Sequence, residues 1–108
     1  MFGLFKKSVD SIELTCIFLK VVSPLLENQK NIPIDMIQIE NAINAFLQNQ
    51  KPKISQEQLL TLKYASQIVC MSEELQEKII NLHHATEADT KDKFLDVLDN
   101  FRSYGCFA

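Results

Sequence analysis

The sequence predicts an all-α protein, a compact bundle of about five helices around a hydrophobic N-terminal helix. The chain of 108 residues has only two glycines and three prolines, whereas sheet-rich folds use many glycine-containing tight turns. Apolar residues recur at helical spacing in five successive stretches. Hydrophobic residues make up 46% and charged residues 23%, which favours a globular over a disordered chain. We expect one helical domain over residues 1–108, with flexible termini at 1–7 and 103–108.

The first predicted helix runs from Ser8 or Asp10 to about Asn28 and is the most hydrophobic stretch of the chain. Its apolar residues are Val9, Ile12, Cys16, Leu19, Val22 and Leu26, joined by Leu14, Ile17, Phe18, Val21 and Leu25. A helix that is apolar on so much of its circumference must be surrounded, which predicts a central position in the bundle. Pro24 is expected to kink or end it. A strand is the alternative for its β-branched first part, but the apolar run is too long and lacks flanking turn residues.

The second helix is expected to begin at Pro33, with Asp35 in its first turn, where the helix dipole favours a negative charge. It should end by Gln50, because Pro52 disfavours helical geometry at the residue before it. Its apolar stripe consists of Met36, Ile37, Ile39, Ile43, Phe46 and Leu47.

The third helix has the clearest start signal. Ser55 can cap it while Gln58 reaches back, and Ile54 can pack on Leu59, which combines a capping box with a hydrophobic staple. Its apolar side is predicted to include Leu59, Leu60, Leu62, Tyr64, Ser66, Ile68, Val69 and Met71.

The last two helices have shorter apolar stripes. Ser72, followed by two glutamates, predicts the start of the fourth helix, whose inward residues are Leu75, Ile79, Ile80 and Leu82. A weaker capping signal at 86–89 predicts the fifth, whose stripe is Phe94, Leu95, Leu98 and Phe101.

Catalytic motifs are missing from the sequence. Gly3 and Gly105 are the only glycines, so no phosphate-binding loop or dinucleotide fingerprint can be written, and no metalloprotease or hydrolase motif occurs. His83 and Glu87, or His84 and Glu87, could share a helix face, but two ligands from one helix end make a weak metal site. Histidines at a helix C-terminus more simply interact with its exposed carbonyls. We therefore expect no enzyme, no catalytic residue, no metal and no cofactor.

The three cysteines predict a reducing compartment. Cys16 and Cys70 fall on predicted apolar faces and are expected to be reduced and buried, while Cys106 lies in a tail that is expected to fray. The first seven residues carry their lysines after the apolar residues, which does not fit a secretory signal. Phe2, Leu4 and Phe5 could touch a membrane surface, but a short patch with two lysines is weak anchoring. We expect a cytoplasmic protein without a membrane partner.

Charge is unevenly distributed along the chain. Six lysines face five carboxylates through residue 54, a balance of +1, whereas five basic residues face nine carboxylates from residue 55 onward, a balance of -4. A helix-turn-helix over the third and fourth helices would bring Glu73, Glu74 and Glu77 to DNA against Lys78 alone, which phosphate repulsion disfavours. Nucleic acid is therefore not an expected partner.

These exclusions leave a small acidic module that binds protein. The candidate partner-binding residues are Glu73, Glu74, Glu77, Asp89, Asp92, Asp96 and Asp99. The four aspartates recur at three- and four-residue steps and form one stripe, which could steer a basic partner such as a nuclease toxin into contact, as an inhibitor or immunity-type protein does. Taken alone, the stripe also fits a solvated helix face with Lys91 and Lys93 nearby.

The alternative function is that of a self-associating helical scaffold or adaptor. Five helices in a chain of this length cannot bury every apolar side chain, so some apolar surface is left over for a homodimer. The candidates at the two ends of the chain are Phe2, Phe5, Tyr104 and Phe107.

Overall fold

The computed structural model describes residues 9–29 and 33–107, and it confirms the all-α prediction. The five helices are α1 (Ser11–Asn28), α2 (Met36–Gln50), α3 (Gln56–Met71), α4 (Glu73–His83) and α5 (Thr90–Ser103). The described ranges contain no strand. α1 packs against α2, α3 and α4, α2 packs against α3, and α4 packs against both α3 and α5. The predicted flexible terminus at 1–7 lies outside the described residues.

Side-chain caps explain where the first four helices begin. The capping residues are Asp10, Asp35, Ser55 and Ser72, and each accepts a hydrogen bond from the backbone N–H three residues on. The predicted capping box of Ser55 with Gln58 is confirmed, and Asp35 with Gln38 forms a second one. Gln58 also donates a side-chain hydrogen bond to the Val9 carbonyl, which ties the entry of α1 to α3.

Two predicted helix starts are wrong. α2 begins at Met36 rather than Pro33, because Asp35 adopts the extended backbone of a capping residue. α5 begins at Thr90, after a turn over residues 87–89. The predicted end of α1 at about Asn28 is confirmed, with Pro24 inside the helix. Proline removes one backbone donor, and Pro24 is exposed to solvent.

The predicted central position of α1 is not confirmed. Its buried residues are Leu14, Thr15, Phe18, Leu19, Val22, Ser23 and Leu26. Ile12, Cys16, Lys20 and Pro24, spaced four residues apart, are exposed along the other side. α1 is therefore amphipathic like the other helices, and the expectation that Cys16 is buried is wrong.

Several apolar residues that the periodicity predicted as inward are exposed. They are Ile12, Ile37, Leu59, Leu60, Tyr64, Met71 and Leu95. In α3 the buried side is centred on Leu62, Ala65 and Val69, so the apolar residues on both flanks of that stripe face outward. Cys70, which was expected to be buried, is only partly so.

The segment after α5 folds back onto the bundle over residues 104–107, so Cys106 is buried rather than in a frayed tail. Gly105 has a φ of 79°; its N–H donates to the Arg102 carbonyl at 2.9 Å, and the Cys106 N–H donates to the Phe101 carbonyl at 3.0 Å. These two bonds are the Schellman motif that closes a helix through a left-handed glycine. The motif turns Cys106 and Phe107 inward, where they are 1% and 3% exposed.

Three phenylalanines join this segment to α1 and α5. The ring of Phe107 lies 5.1 Å from that of Phe101 and 6.1 Å from that of Phe18, and the rings of Phe18 and Phe101 are 5.6 Å apart. Tyr64 donates its hydroxyl to the Tyr104 carbonyl at 2.7 Å, so α3 holds the same segment from the other side.

Candidate functional site

The seven acidic residues that the sequence singled out are all exposed, on two helices that pack together. Three lie on α4 and four lie on α5 or at its N-cap; we call them the acidic face. On α5 the aspartates point away from the buried residues Val97, Leu98 and Phe101, because their spacing places them on the opposite side of the helix at about 100° per residue. The acidic face is therefore solvent-facing surface and not part of the core.

Lys78 connects the two halves of the acidic face. Its ammonium lies 3.7 Å from Glu74 Oε1 on α4 and 3.2 Å from Asp96 Oδ1 on α5. Its side chain is 27% exposed, so the charge sits partly inside the seam between the helices. The structure thus brings Glu74 and Asp96 together around one cation.

The other five carboxylates differ in whether they have a role in local structure. Asp89 accepts a hydrogen bond from the Thr86 hydroxyl at 3.0 Å, and Asp92 lies in the first turn of α5, where the helix dipole favours it. Glu73 has the same favourable position in α4. Glu77 and Asp99 have no such role, and neither forms an ion pair with a described residue.

The balance of charge across α4 and α5 is strongly negative. Between residues 73 and 103 there are eight carboxylates (Glu73, Glu74, Glu77, Glu87, Asp89, Asp92, Asp96 and Asp99) and four basic residues (Lys78, Lys91, Lys93 and Arg102), which gives -4. Such a surface attracts a cationic partner over roughly one Debye length, about 8–10 Å at moderate salt.

The two histidines lie at the end of α4, as the sequence predicted. His84 is the C-cap residue, and its Nε2 lies 2.7 Å from Glu27 Oε2 near the end of α1. The His83 ring stacks edge-on against that of His84 at 5.4 Å. No group of three or more potential metal ligands comes together in the described ranges. His84 therefore joins α4 to α1, which the sequence did not reveal.

A cleft of about 500 Å³ opens beside these histidines, between α1, the end of α4 and the start of α5. α1 and α5 meet where Phe18 contacts Phe101, but further along, Leu19, Leu82 and Phe94 form an apolar wall of the cleft. We call it the α1/α5 cleft.

Polar groups of three kinds line the α1/α5 cleft. They are the thiol of Cys16, the hydroxyls of Ser23 and Thr90, and the nitrogen-bearing side chains of Lys20 and His83. No carboxylate is among the described lining residues. Neither Lys20 nor His83 forms an ion pair within the part of the chain that the structure describes. Lys20 is therefore the formally charged residue of the lining, on a chain whose net charge is -3.

The three cysteines are free and differ in their surroundings. Partial desolvation of the thiol raises the pKa of Cys16, and the nearby Asp10 and Glu13 carboxylates add to the rise, while Lys20 opposes it. Burial also raises the pKa of Cys70, and it raises that of Cys106 to about 11. All three thiols should therefore form less of the reactive thiolate at neutral pH than an unperturbed cysteine.

The sequence analysis missed the cleft because it placed Cys16 on the buried side of α1. The signal that could have corrected this lies in the polar interruptions of the helix. Glu13, Lys20 and Pro24 are separated by seven and four residues, which puts all three on one face. That face is the one the structure exposes, and Cys16 lies beside it.

Comparisons with known proteins identify no relative. No protein-family model, curated protein or solved structure matches this chain. Among the described residues, no helix combines the length and apolar character needed to cross a bilayer.

Proposed function

We propose that this protein is a small acidic binding module that captures a basic protein surface through the acidic face. The observation that supports this most is the position of seven exposed carboxylates on two packed helices, α4 and α5. The specific form we propose is an inhibitor of the immunity type, which occludes a cationic partner such as a nuclease toxin. Its carboxylates would occupy the positions that phosphates take on the partner's surface. Binding alone is sufficient for this role, without catalysis.

Lys78 shapes the proposed surface. By pairing with Glu74 and Asp96 it holds the two acidic helices together, while the side chains of these two residues stay 75% and 58% exposed and open to a partner, as are the other five carboxylates. Exposed ion pairs contribute about 0.2–1 kcal/mol each, so several must act together to give useful affinity. A cytoplasmic location is part of the proposal, because three free cysteines suit a reducing compartment.

The test compares partner binding by two variants, one that lacks three carboxylates of the acidic face and one that lacks three carboxylates elsewhere. The wild-type chain is used as bait to isolate a partner, and purified components then give the Kd at several salt concentrations. Replacing Asp92, Asp96 and Asp99 by Asn should weaken binding roughly tenfold, since three exposed pairs of about 0.2–1 kcal/mol are lost. The same variant should show a flatter salt dependence.

The matched control replaces Glu13, Glu40 and Glu57, on α1, α2 and α3, by Gln. Both triple variants bring the formal net charge from -3 to 0, so they differ only in where charge is lost. The control should bind within about twofold of wild type, a difference at the scale of one weak surface pair. Equal weakening by both triples would show that only net charge matters, and unchanged binding by the Asn triple would refute the acidic face.

Self-association is the second candidate, and exposed apolar residues on α3 favour it. Leu60, Tyr64 and Met71 are 66%, 41% and 79% exposed, and their spacing of four and seven residues places them on one helix face. Tyr104, also exposed, adjoins Tyr64 through the hydrogen bond to its carbonyl. The patch predicted from the chain ends is wrong for Phe107, which is buried, and its members Phe2 and Phe5 lie outside the described residues.

Light scattering distinguishes the two candidates. A dimer that persists at high salt and is lost when Leu60 and Met71 are both replaced by Ser would support self-association through α3, since apolar contacts are not screened by salt. A monomer at every salt concentration would exclude it.

A further inference from the structure

We infer that the α1/α5 cleft binds an amphiphilic anion, a small molecule with an aliphatic body and a single carboxylate or comparable head group. The cleft of about 500 Å³ falls within the range of roughly 300–1,000 Å³ that is usual for small-molecule sites. This site is separate from the acidic face and does not depend on the function proposed above.

The aliphatic body is specified by the wall of the cleft. Leu19 comes from α1, Leu82 from α4 and Phe94 from α5, so apolar side chains of three helices converge on one space. Leu82 and Phe94 are partly buried beside the core. Covering such surfaces is favourable by about 25 cal/mol per Å² of apolar area removed from water. A flexible alkyl chain can follow an open cleft of this shape.

The sign of the head group follows from the charges that line the cleft. Lys20 supplies a cation without an intramolecular partner in the described chain, and His83 supplies an N–H donor in either neutral form. A carboxylate accepts hydrogen bonds from both and is attracted by the Lys20 charge, whereas an ammonium head group would be repelled by that charge. No acidic residue lines the cleft to receive one.

Cys16 provides a direct readout of occupancy, because it lines the cleft and is exposed, while Cys106 is buried. The experiment measures alkylation of each cysteine by iodoacetamide, using peptide mass spectrometry, with and without decanoate below its micelle concentration. With decanoate at ten times its Kd, alkylation of Cys16 should slow about tenfold by mass action, and alkylation of Cys70 should not change. 1-Decanol and decyltrimethylammonium are run in parallel, and decanoate should protect Cys16 at the lowest concentration of the three.

Variants test whether Lys20 binds the head group of the ligand. Lys20→Gln should raise the decanoate concentration needed for protection by about two- to fivefold, the range of one exposed ion pair, and leave that for 1-decanol unchanged. Lys63→Gln, which removes an exposed lysine from α3, is the matched control. Each variant is compared with its own rate without ligand, because Lys20 also lowers the thiol pKa. Circular dichroism verifies the fold.

A second measurement uses the lack of tryptophan in the chain. Phe94→Trp places a single indole in the cleft, and Leu60→Trp places one on the outer side of α3. Decanoate should change the emission of the first variant and not of the second. The inference is overturned if decanoate protects Cys16 no better than decyltrimethylammonium, if Lys20→Gln behaves like wild type, or if neither thiol protection nor Phe94→Trp emission responds to decanoate.

Discussion

Phe107 is predicted to be one of the most important residues for stability, although it lies beyond the last helix. Its side chain is 3% exposed and contacts the rings of Phe18 and Phe101. Phe107→Ala should lower the free energy of unfolding by about 3–5 kcal/mol, the usual effect of truncating a buried aromatic residue. Each aromatic pair contributes about 0.5–1.5 kcal/mol of that loss beyond area burial. A domain of this size has a total stability of roughly 5–15 kcal/mol, so the variant should lose a large part of it.

Urea denaturation followed by circular dichroism at 222 nm measures the effect. With an m-value of about 2 kcal/mol/M, the midpoint should fall by about 1.5–2.5 M. Alanine keeps a Cβ at the φ of 60° that Phe107 adopts, so backbone strain is the same in both proteins and only side-chain packing changes. Tyr104→Ala is the control, since its exposed side chain is removed while its carbonyl still accepts the Tyr64 hydroxyl. A loss below about 1 kcal/mol for Phe107→Ala, well under the usual cost of such a truncation, would refute the packing described here.

Three further predictions test the backbone, a cap and a thiol. Gly105→Ala should cost about 1–2 kcal/mol, because the added Cβ meets no atom within 4 Å and only the left-handed φ of 79° opposes it. Ser55→Ala should cost about 1 kcal/mol through loss of the α3 cap, whereas exposed Ser103→Ala should change stability by less than 0.5 kcal/mol; urea midpoints measure both. Because the Cys106 pKa is raised from 9.0 to about 11 in the folded state, the native protein binds this proton more tightly. Stability should therefore fall as pH rises from 9 to 11, and fall less in Cys106→Ala.

The fold was largely predictable because its determinants are local. The spacing of apolar residues, together with capping and turn residues, predicted five helices. The capping box at Ser55 correctly predicted the start of α3. The start of α2 was misplaced because Pro33 and Asp35 are both compatible with a helix N-terminus. Which residue is the N-cap depends on the backbone conformation, and the sequence does not give it. The extended conformation of Asp35 decides it.

The orientation of each helix was less predictable than its existence. In α1 and α3 apolar residues cover well over half of the circumference, so periodicity alone fits more than one inward direction. Tertiary packing selects among them: Leu62, Ala65 and Val69 face the other helices, and Leu60 and Met71 do not. The fold-back of Cys106 and Phe107 depends on Gly105 adopting a left-handed conformation, which a glycine permits but does not require.

The exposure of the acidic face was predictable, whereas the cleft was not. Burying an unpaired charge is costly, so the carboxylates of a helix face are expected to be exposed. The spacing of the four aspartates at α5 also predicts that they lie on one side of the helix. The cleft is lined by residues of α1, α4 and α5, which come together only through tertiary packing. The pairing of Lys78 with Glu74 follows from their i, i+4 spacing, whereas the pairing of Lys78 with Asp96 and that of His84 with Glu27 do not.

The geometry of α5 makes the two proposed surfaces separable by experiment. Its aspartates lie on the side opposite Val97, Leu98 and Phe101, while Thr90 and Phe94 line the cleft. Charge changes at Asp92, Asp96 and Asp99 therefore leave the lining of the cleft intact, and Lys20→Gln on α1 leaves every carboxylate of the acidic face in place. Because sites that share no side chain usually respond additively, a basic partner and decanoate should bind together without competition. If they compete, α5 must shift when either one binds, and the bundle then contains a coupling that its static packing does not show.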